Sequence, residues 1–290
     1  WLLIIILIPG LIMLLINLIE TETEITVYDY KLQEERELNL ERYLRGVVAA
    51  EMPASFPLEA LKAQAVAART YALKKKVNKQ RLTTASKFDQ AWLSQKELAK
   101  RWQNDFFANW AKVAAAVEET QGLVLTYDNQ LITAAYHSTS GGQTAPAVEV
   151  WGTNVPYLKS VNSYCETDSP YYKEEQFFSW SQLGEILDTS KGAEVEIIER
   201  SLSQRVLKIE INGEVFGGRE LRKKLALNST KFNCIRSREG VKFIVDGFGH
   251  GVGMSQYGAQ GLAHDGYNYR EILKHYYPGV ELVEKNNLDV

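Results

Sequence analysis

Residues 1–19 hold no charged side chain, and no other feature limits the possible architecture as much. At about 1.5 Å of rise per residue, the stretch is close to the ~20 residues a helix needs to cross a bilayer. Pro9 and Gly10 are tolerated in such a span. A cleaved signal peptide has a shorter apolar core, about 7–15 residues, and ends in a small-x-small site. Asn17-Leu18-Ile19-Glu20-Thr21-Glu22 offers no such site, so the reading is a retained anchor. The chain opens on Trp1 rather than Met, and a short leader is expected ahead of it. Between residues 20 and 30 every charge is acidic, which favours an outside location for the chain beyond the span, since Lys and Arg mark the cytoplasmic flank. The expectation is a single-pass protein of the cell membrane, with residues 20–290 as its extracytoplasmic body.

The chain has globular composition. Over the 290 residues, 45% are hydrophobic and 24% charged, which excludes a disordered chain. A formal charge of −3 gives no case for a nucleic-acid partner. Two cysteines, Cys165 and Cys234, exclude a disulfide-dense scaffold and a four-cysteine zinc site. Whether they pair stays open at this level.

Short strands are expected around residues 25–27 and 31–40. Leu40, Leu44, Val47 and Val48 mark a helix that Pro53 ends. A second helix starts after Pro57, with Leu58, Leu61, Ala65, Ala68 and Ala72 as one stripe. Residues 94–119 continue as helix, and the Trp and Phe stripe from Trp92 to Trp110 reads as core. Residues 123–127 and 131–136, around a turn at Asp128-Asn129, read as a β-hairpin. Residues 177–187, 194–198, 206–211 and 220–227 read as helix, strand, strand, helix. A glycine-rich loop over residues 247–261 and a helix over residues 269–276 close the body. The fold class is α+β, mixed helices and antiparallel strands after a single N-terminal transmembrane helix. A possible inserted subdomain covers about residues 163–240.

Three segments differ from ordinary core or surface. Ala49-Ala50-Glu51-Met52-Pro53 places an acid at a helix end among small and apolar residues, where partial desolvation raises a carboxyl's pKa and suits it to donate a proton. The competing reading is a solvated terminal Glu. His137-Ser138-Thr139-Ser140-Gly141-Gly142 makes a polar ligand loop. A nucleophile-and-base pairing of His137 with Ser138 is poorly supported, because neighbours on a strand point to opposite faces and no G-x-S-x-G elbow is present. No second His or Cys lies at ligand spacing for a metal. The third segment, residues 247–261, carries six glycines together with His250, Gln256 and Tyr257. It lacks the Lys-Ser/Thr ending of a phosphate loop and the spacing of a dinucleotide fingerprint. Neutral donors and aromatic rings there suit a polar, uncharged ligand such as a sugar.

Taken together, these segments resemble the stage II sporulation protein D (SpoIID/LytB) family, membrane-anchored cell-wall enzymes of endospore-forming bacteria. The resemblance rests on Leu44-Arg45-Gly46-Val47-Val48-Ala49-Ala50-Glu51-Met52-Pro53 and on Leu58-Glu59-Ala60-Leu61-Lys62-Ala63-Gln64-Ala65-Val66-Ala67-Ala68-Arg69-Thr70-Tyr71. It continues through Tyr136-His137-Ser138-Thr139-Ser140-Gly141-Gly142-Gln143-Thr144, Trp151-Gly152 and Pro156-Tyr157-Leu158-Lys159-Ser160-Val161. The last stretch is Gly249-His250-Gly251-Val252-Gly253-Met254-Ser255-Gln256-Tyr257-Gly258-Ala259. These motifs stand in family order and span most of the chain after Leu40.

The resemblance implies a lytic transglycosylase acting on peptidoglycan glycan strands already stripped of their peptides. Glu51 matches the family's catalytic glutamate. Arg69, His137, Tyr157, Lys159 and Tyr257 fall on positions that bind substrate or support the site. Some relatives carry Cys beside the motif histidine and bind zinc. Ser138, Thr139 and Ser140 stand there in this chain, so no metal or other cofactor is expected. The implied partners are an amidase, the stage II sporulation protein P, and the membrane protein M, in the mother-cell membrane facing the forespore septum. The alternative is a non-catalytic glycan-binding module that stimulates an amidase.

Overall fold

A computed structural model describes residues 23–189 and 192–288. The apolar segment 1–19 lies outside the described residues, and among those described no helix is long and apolar enough to cross a membrane. The body is a mixed α+β fold built from several small sheets.

Strands β1 (Glu24–Asp29) and β2 (Glu34–Asn39) form an antiparallel hairpin. Asn39 then caps α1 (Leu40–Glu51), its side-chain oxygen accepting the Arg42 N–H at 2.9 Å. After Pro53, α2 (Leu58–Val77) runs through the middle of the body. The sequence suggested one apolar stripe on α2, but the helix is buried nearly all round, Ala60, Ala63, Ala65 and Ala67 included. Side chains this small let neighbours approach on every side, so α2 is the axis of the core.

Strand β3 (Leu82–Thr83) joins β1 in parallel. Helices α3 (Gln95–Trp102) and α4 (Phe106–Glu118) replace the single helix expected over residues 94–119. Gln103 breaks it with φ 48°, a conformation a helix cannot continue. Asp128 and Asn129 take positive φ in the turn between β4 (Leu123–Tyr127) and β5 (Gln130–Leu131). The hairpin stops there. Its expected continuation, β6 (Tyr136–His137), leaves β4 and pairs elsewhere.

Strand β7 (Gly142–Gln143), α5 (Ala147–Trp151) and β8 (Asn162–Ser163) come next. Strand β9 (Lys173–Ser179) covers residues expected as the start of a helix, and α6 (Trp180–Leu187) begins only after Ser179. Alternating exposure places Phe177 outward, and a capping box between Ser179 and Gln182 marks the helix start. Strands β10 (Val195–Arg200), β11 (Val206–Ile211) and β12 (Glu214–Gly217) make one sheet. After α7 (Gly218–Lys224), β13 (Phe232–Arg236) and β14 (Gly240–Asp246) make another with β9. Leu183, Ile209, Leu221, Phe232 and Phe243 belong to a buried cluster of their own, separate from the cluster around α2.

The region expected as one glycine-rich loop ends in β15 (Met254–Ser255) and α8 (Gln256–His264), the latter capped by Ser255. Helix α9 (Tyr269–Tyr276) occupies the residues expected for it, and β16 (Glu281–Glu284) returns to β4. Two strand pairings, β1 with β3 and β6 with β15, are parallel rather than antiparallel. Both cysteines are free; Cys165 donates to the Gly258 carbonyl at 3.3 Å.

Candidate active site

The parallel pairing of β6 with β15 sets Tyr136 against Met254 and His137 against Ser255. Beyond it the two loops zip together: Thr139 and Phe248 exchange backbone hydrogen bonds at 3.0 and 2.8 Å, and Ala145 donates to the Gly251 carbonyl at 2.7 Å. Two motifs more than a hundred residues apart thus form one wall, and the C-terminal end of α1 faces it. Between them lies a cleft of about 1210 Å³, with Glu51, Ala91, His137, His250, Gln256 and Tyr257 among its lining residues.

Glu51 is the last residue of α1. One carboxylate oxygen accepts the Ala91 N–H at 2.5 Å and the other accepts the Gln256 amide at 3.2 Å, from a residue 205 positions away. Burial pushes its pKa above the ordinary 4.5, against the opposing pull of those two donors. The negative end of the helix dipole also disfavours an anion there. The result is a carboxyl that gives up its proton less readily than an exposed one and whose anion has two donors waiting. Asp89 also lines the cleft, but Lys75, the Tyr71 hydroxyl (2.6 Å) and the Thr83 N–H (2.9 Å) already engage it. Behind Glu51, Tyr136 donates to Gln90 at 2.8 Å, and Gln90 donates to the Tyr43 hydroxyl at 3.2 Å.

His137 and His250 stand 5.6 Å apart, ring to ring, and Trp151 packs 5.7 Å from His250. The backbone of Val252 assigns both tautomers. Its carbonyl accepts a hydrogen bond from His137 Nδ1 at 3.2 Å, and its N–H donates to His250 Nδ1 at 3.0 Å. His137 Nε2 is left buried without a partner. Burial drives His137 well below the ordinary 6.5 and His250 down to about 4. Tyr257 meets Phe56 edge-on at 5.0 Å, and Tyr171 meets Phe248 at 4.8 Å. Aromatic faces and neutral polar groups thus dominate the wall opposite Glu51.

The other residues singled out from sequence lie elsewhere. Arg69 is fully buried; it makes a two-bond fork with Glu41 at 2.8 and 2.6 Å and donates to the Val117 and Leu123 carbonyls. Tyr157 accepts the Thr133 N–H at 2.9 Å and so supports the cleft wall from behind. Lys159 is exposed and is not among the lining residues. Hydroxyls replace the thiols of a zinc site beside His137, and they are engaged: Thr139 Oγ1 with Ser169 at 2.6 Å and Ser140 Oγ with Glu166 at 2.8 Å. That donor set does not fit zinc. Ala91, Gln90 and Tyr136 were not singled out for roles of their own. Tyr136 at least begins the hairpin-end motif, whereas a backbone N–H such as that of Ala91 leaves no signal in a sequence.

Comparison with known proteins gives a consistent picture. The family model described as Stage II sporulation protein matches residues 28–127. Stage II sporulation protein D of Bacillus subtilis (strain 168) is 41% identical over 271 residues, covering 90% of this chain and 79% of that protein. The protein of the same name from Bacillus amyloliquefaciens is 38% identical over 278 residues, covering 92% and 81%. The amidase enhancer of Bacillus subtilis (strain 168) is 31% identical over 296 residues, covering 82% of this chain and 40% of that protein.

Proposed function

Because the chain belongs to the stage II sporulation protein D family, we propose that it is a lytic transglycosylase that cuts peptide-free peptidoglycan glycan between N-acetylmuramic acid and N-acetylglucosamine. The observation that carries this reading is Glu51: a carboxyl with a raised pKa in a cleft of about 1210 Å³, oriented by Ala91 and Gln256.

Glu51 gives its proton to the leaving glycosidic oxygen as positive charge develops at the anomeric carbon. The Ala91 N–H and the Gln256 amide stabilise the carboxylate so formed. That carboxylate then takes the proton of the muramic C6 hydroxyl, whose oxygen closes on the anomeric carbon to leave a 1,6-anhydro end. One carboxyl serves both halves, so the second carboxylate of a hydrolase is not needed. The aromatic and amide-bearing wall supports sugar rings as ligand, and the cleft is large enough for several of them. We place the protein at the membrane beside the stage II sporulation proteins P and M, where an amidase strips the peptides first.

The test is product chemistry. Peptide-free glycan incubated with the protein should yield 1,6-anhydro-ended fragments by mass spectrometry. Reducing ends instead of anhydro ends would indicate hydrolysis. Bound but uncut strands would favour a non-catalytic module, the role suggested by the likeness to an amidase enhancer.

A further inference from the structure

Three charged side chains from the segment after β7 reach the back of the loop that carries His137. Glu166 is fully buried beneath residues 140–142. Its carboxylate accepts the N–H groups of Ser140, Gly141 and Gly142 at 3.0, 2.9 and 3.0 Å, and the hydroxyls of Ser140 and Ser163, both at 2.8 Å. The carbonyls of the same turn meet cations. Arg205 Nη2 donates to the Ser140 carbonyl at 3.4 Å and Lys231 Nζ to the Gly141 carbonyl at 2.7 Å. Arg205 is buried, with Ser229 as a further partner at 3.0 Å. Gly251 adopts φ +82°, and a Cβ there would overlap the guanidinium. The absence of a side chain at Gly251 therefore makes room for Arg205.

A Ser-Gly-Gly turn has little side-chain packing and much backbone freedom. Charge-assisted hydrogen bonds on both sides of its peptide planes remove that freedom. We propose that Glu166, Arg205 and Lys231 form a charge clamp that positions the loop bearing His137 and Ser138 against the cleft. Arg205 is its central positioning residue. The same guanidinium bears on the two imidazoles. Behind burial, His250 and then Arg205 and Arg222 lower His137, while the Val252 carbonyl opposes them. Arg205 and Arg222 lower His250 in turn, opposed by the Tyr136 carbonyl. Burial first, with Arg205 adding to it, keeps the His137 pKa low, and its buried Nε2 is left without a partner.

This inference does not rest on the chemistry proposed for the cleft, and its readouts are spectroscopic. Glu166→Gln keeps the side-chain shape but leaves one oxygen to serve three backbone donors. Amide exchange at Ser140, Gly141 and Gly142 should quicken by about tenfold or more relative to amides of α2. Arg205→Met should move the NMR titrations of His137 and His250 upward, and Arg205→Lys should restore most of the low values. If Arg205→Met does not fold, Lys231→Met tests the same clamp through faster exchange at Gly142, whose peptide unit carries the Gly141 carbonyl. Unchanged exchange in Glu166→Gln or Lys231→Met, or imidazole titrations unmoved in folded Arg205→Met, would overturn the proposal.

Discussion

Arg69 shows how a residue can belong to a functional motif and yet have a purely internal task. Its guanidinium joins Glu41 on α1 to the carbonyls of Val117 and Leu123, tying together the elements around α2. Removing one partner of such a pair strands the other, at about 3–5 kcal/mol. Arg69→Met should therefore lose stability of that order in urea unfolding, while turnover per folded molecule stays near wild type. A stable variant with weakened glycan binding would instead make Arg69 a substrate contact. The paired histidines make a different prediction. Folding keeps both neutral, whereas the unfolded chain protonates them near pH 6.5. Their contribution is complete above that pH and falls below it; for His250 it is lost as the pH falls through about 4. For His250 the loss is on the order of 3 kcal/mol. His250→Gln should flatten the fall in unfolding free energy between pH 7 and 4, and an unchanged slope would contradict this account.

At the scale of elements, the junction of α1 with the segment around Ala91 decides where Glu51 sits. Gly46 is interior to α1, where glycine ordinarily costs about 1 kcal/mol relative to alanine. Here a methyl at Gly46 would overlap the Trp92 indole and the Leu93 carbonyl. Gly46→Ala should thus destabilise by about 1–3 kcal/mol instead of stabilising, and should also slow turnover by shifting the Ala91 N–H away from Glu51. A more stable, fully active variant would show that the segment yields freely. Elements governed by local signals were legible in the sequence: α1 from the spacing of Leu40, Leu44, Val47 and Val48 before Pro53, and α9 over residues 269–276. Glu51 was legible as an acid at a helix end. The two-residue strands β6 and β15 were not, because so short a pairing has no periodicity and forms only when distant loops meet. For the same reason nothing in the sequence singles out Glu166 or Arg205, or shows what the glycines of residues 247–253 pack against. Their packing partners lie in other parts of the chain.

At the scale of the whole molecule, the cleft is assembled from segments that no single stretch of sequence contains. The end of α1 supplies the acid, the loop before α3 supplies a backbone donor, and α8 supplies the Gln256 amide. The segment with its own buried cluster, from Leu183 to Val245, stays off the reacting groups but sends Arg205 and Lys231 to the loop behind them. Burial of Glu51 has a consequence for the fold itself. Its stabilising contribution is present below the unfolded value near 4.5 and is lost as the pH rises through the higher folded value. Glu51→Gln should therefore gain stability relative to wild type as pH increases, so that any loss of activity is not a loss of fold. The most direct test of the central claim is the rate at which 1,6-anhydro ends are released from peptide-free glycan by the wild-type protein and by Glu51→Gln. A single acid–base residue predicts a fall of about 10²–10⁴-fold or more in a variant that unfolds no earlier than wild type. A folded Glu51→Gln that still releases anhydro ends at a rate near wild type would contradict it.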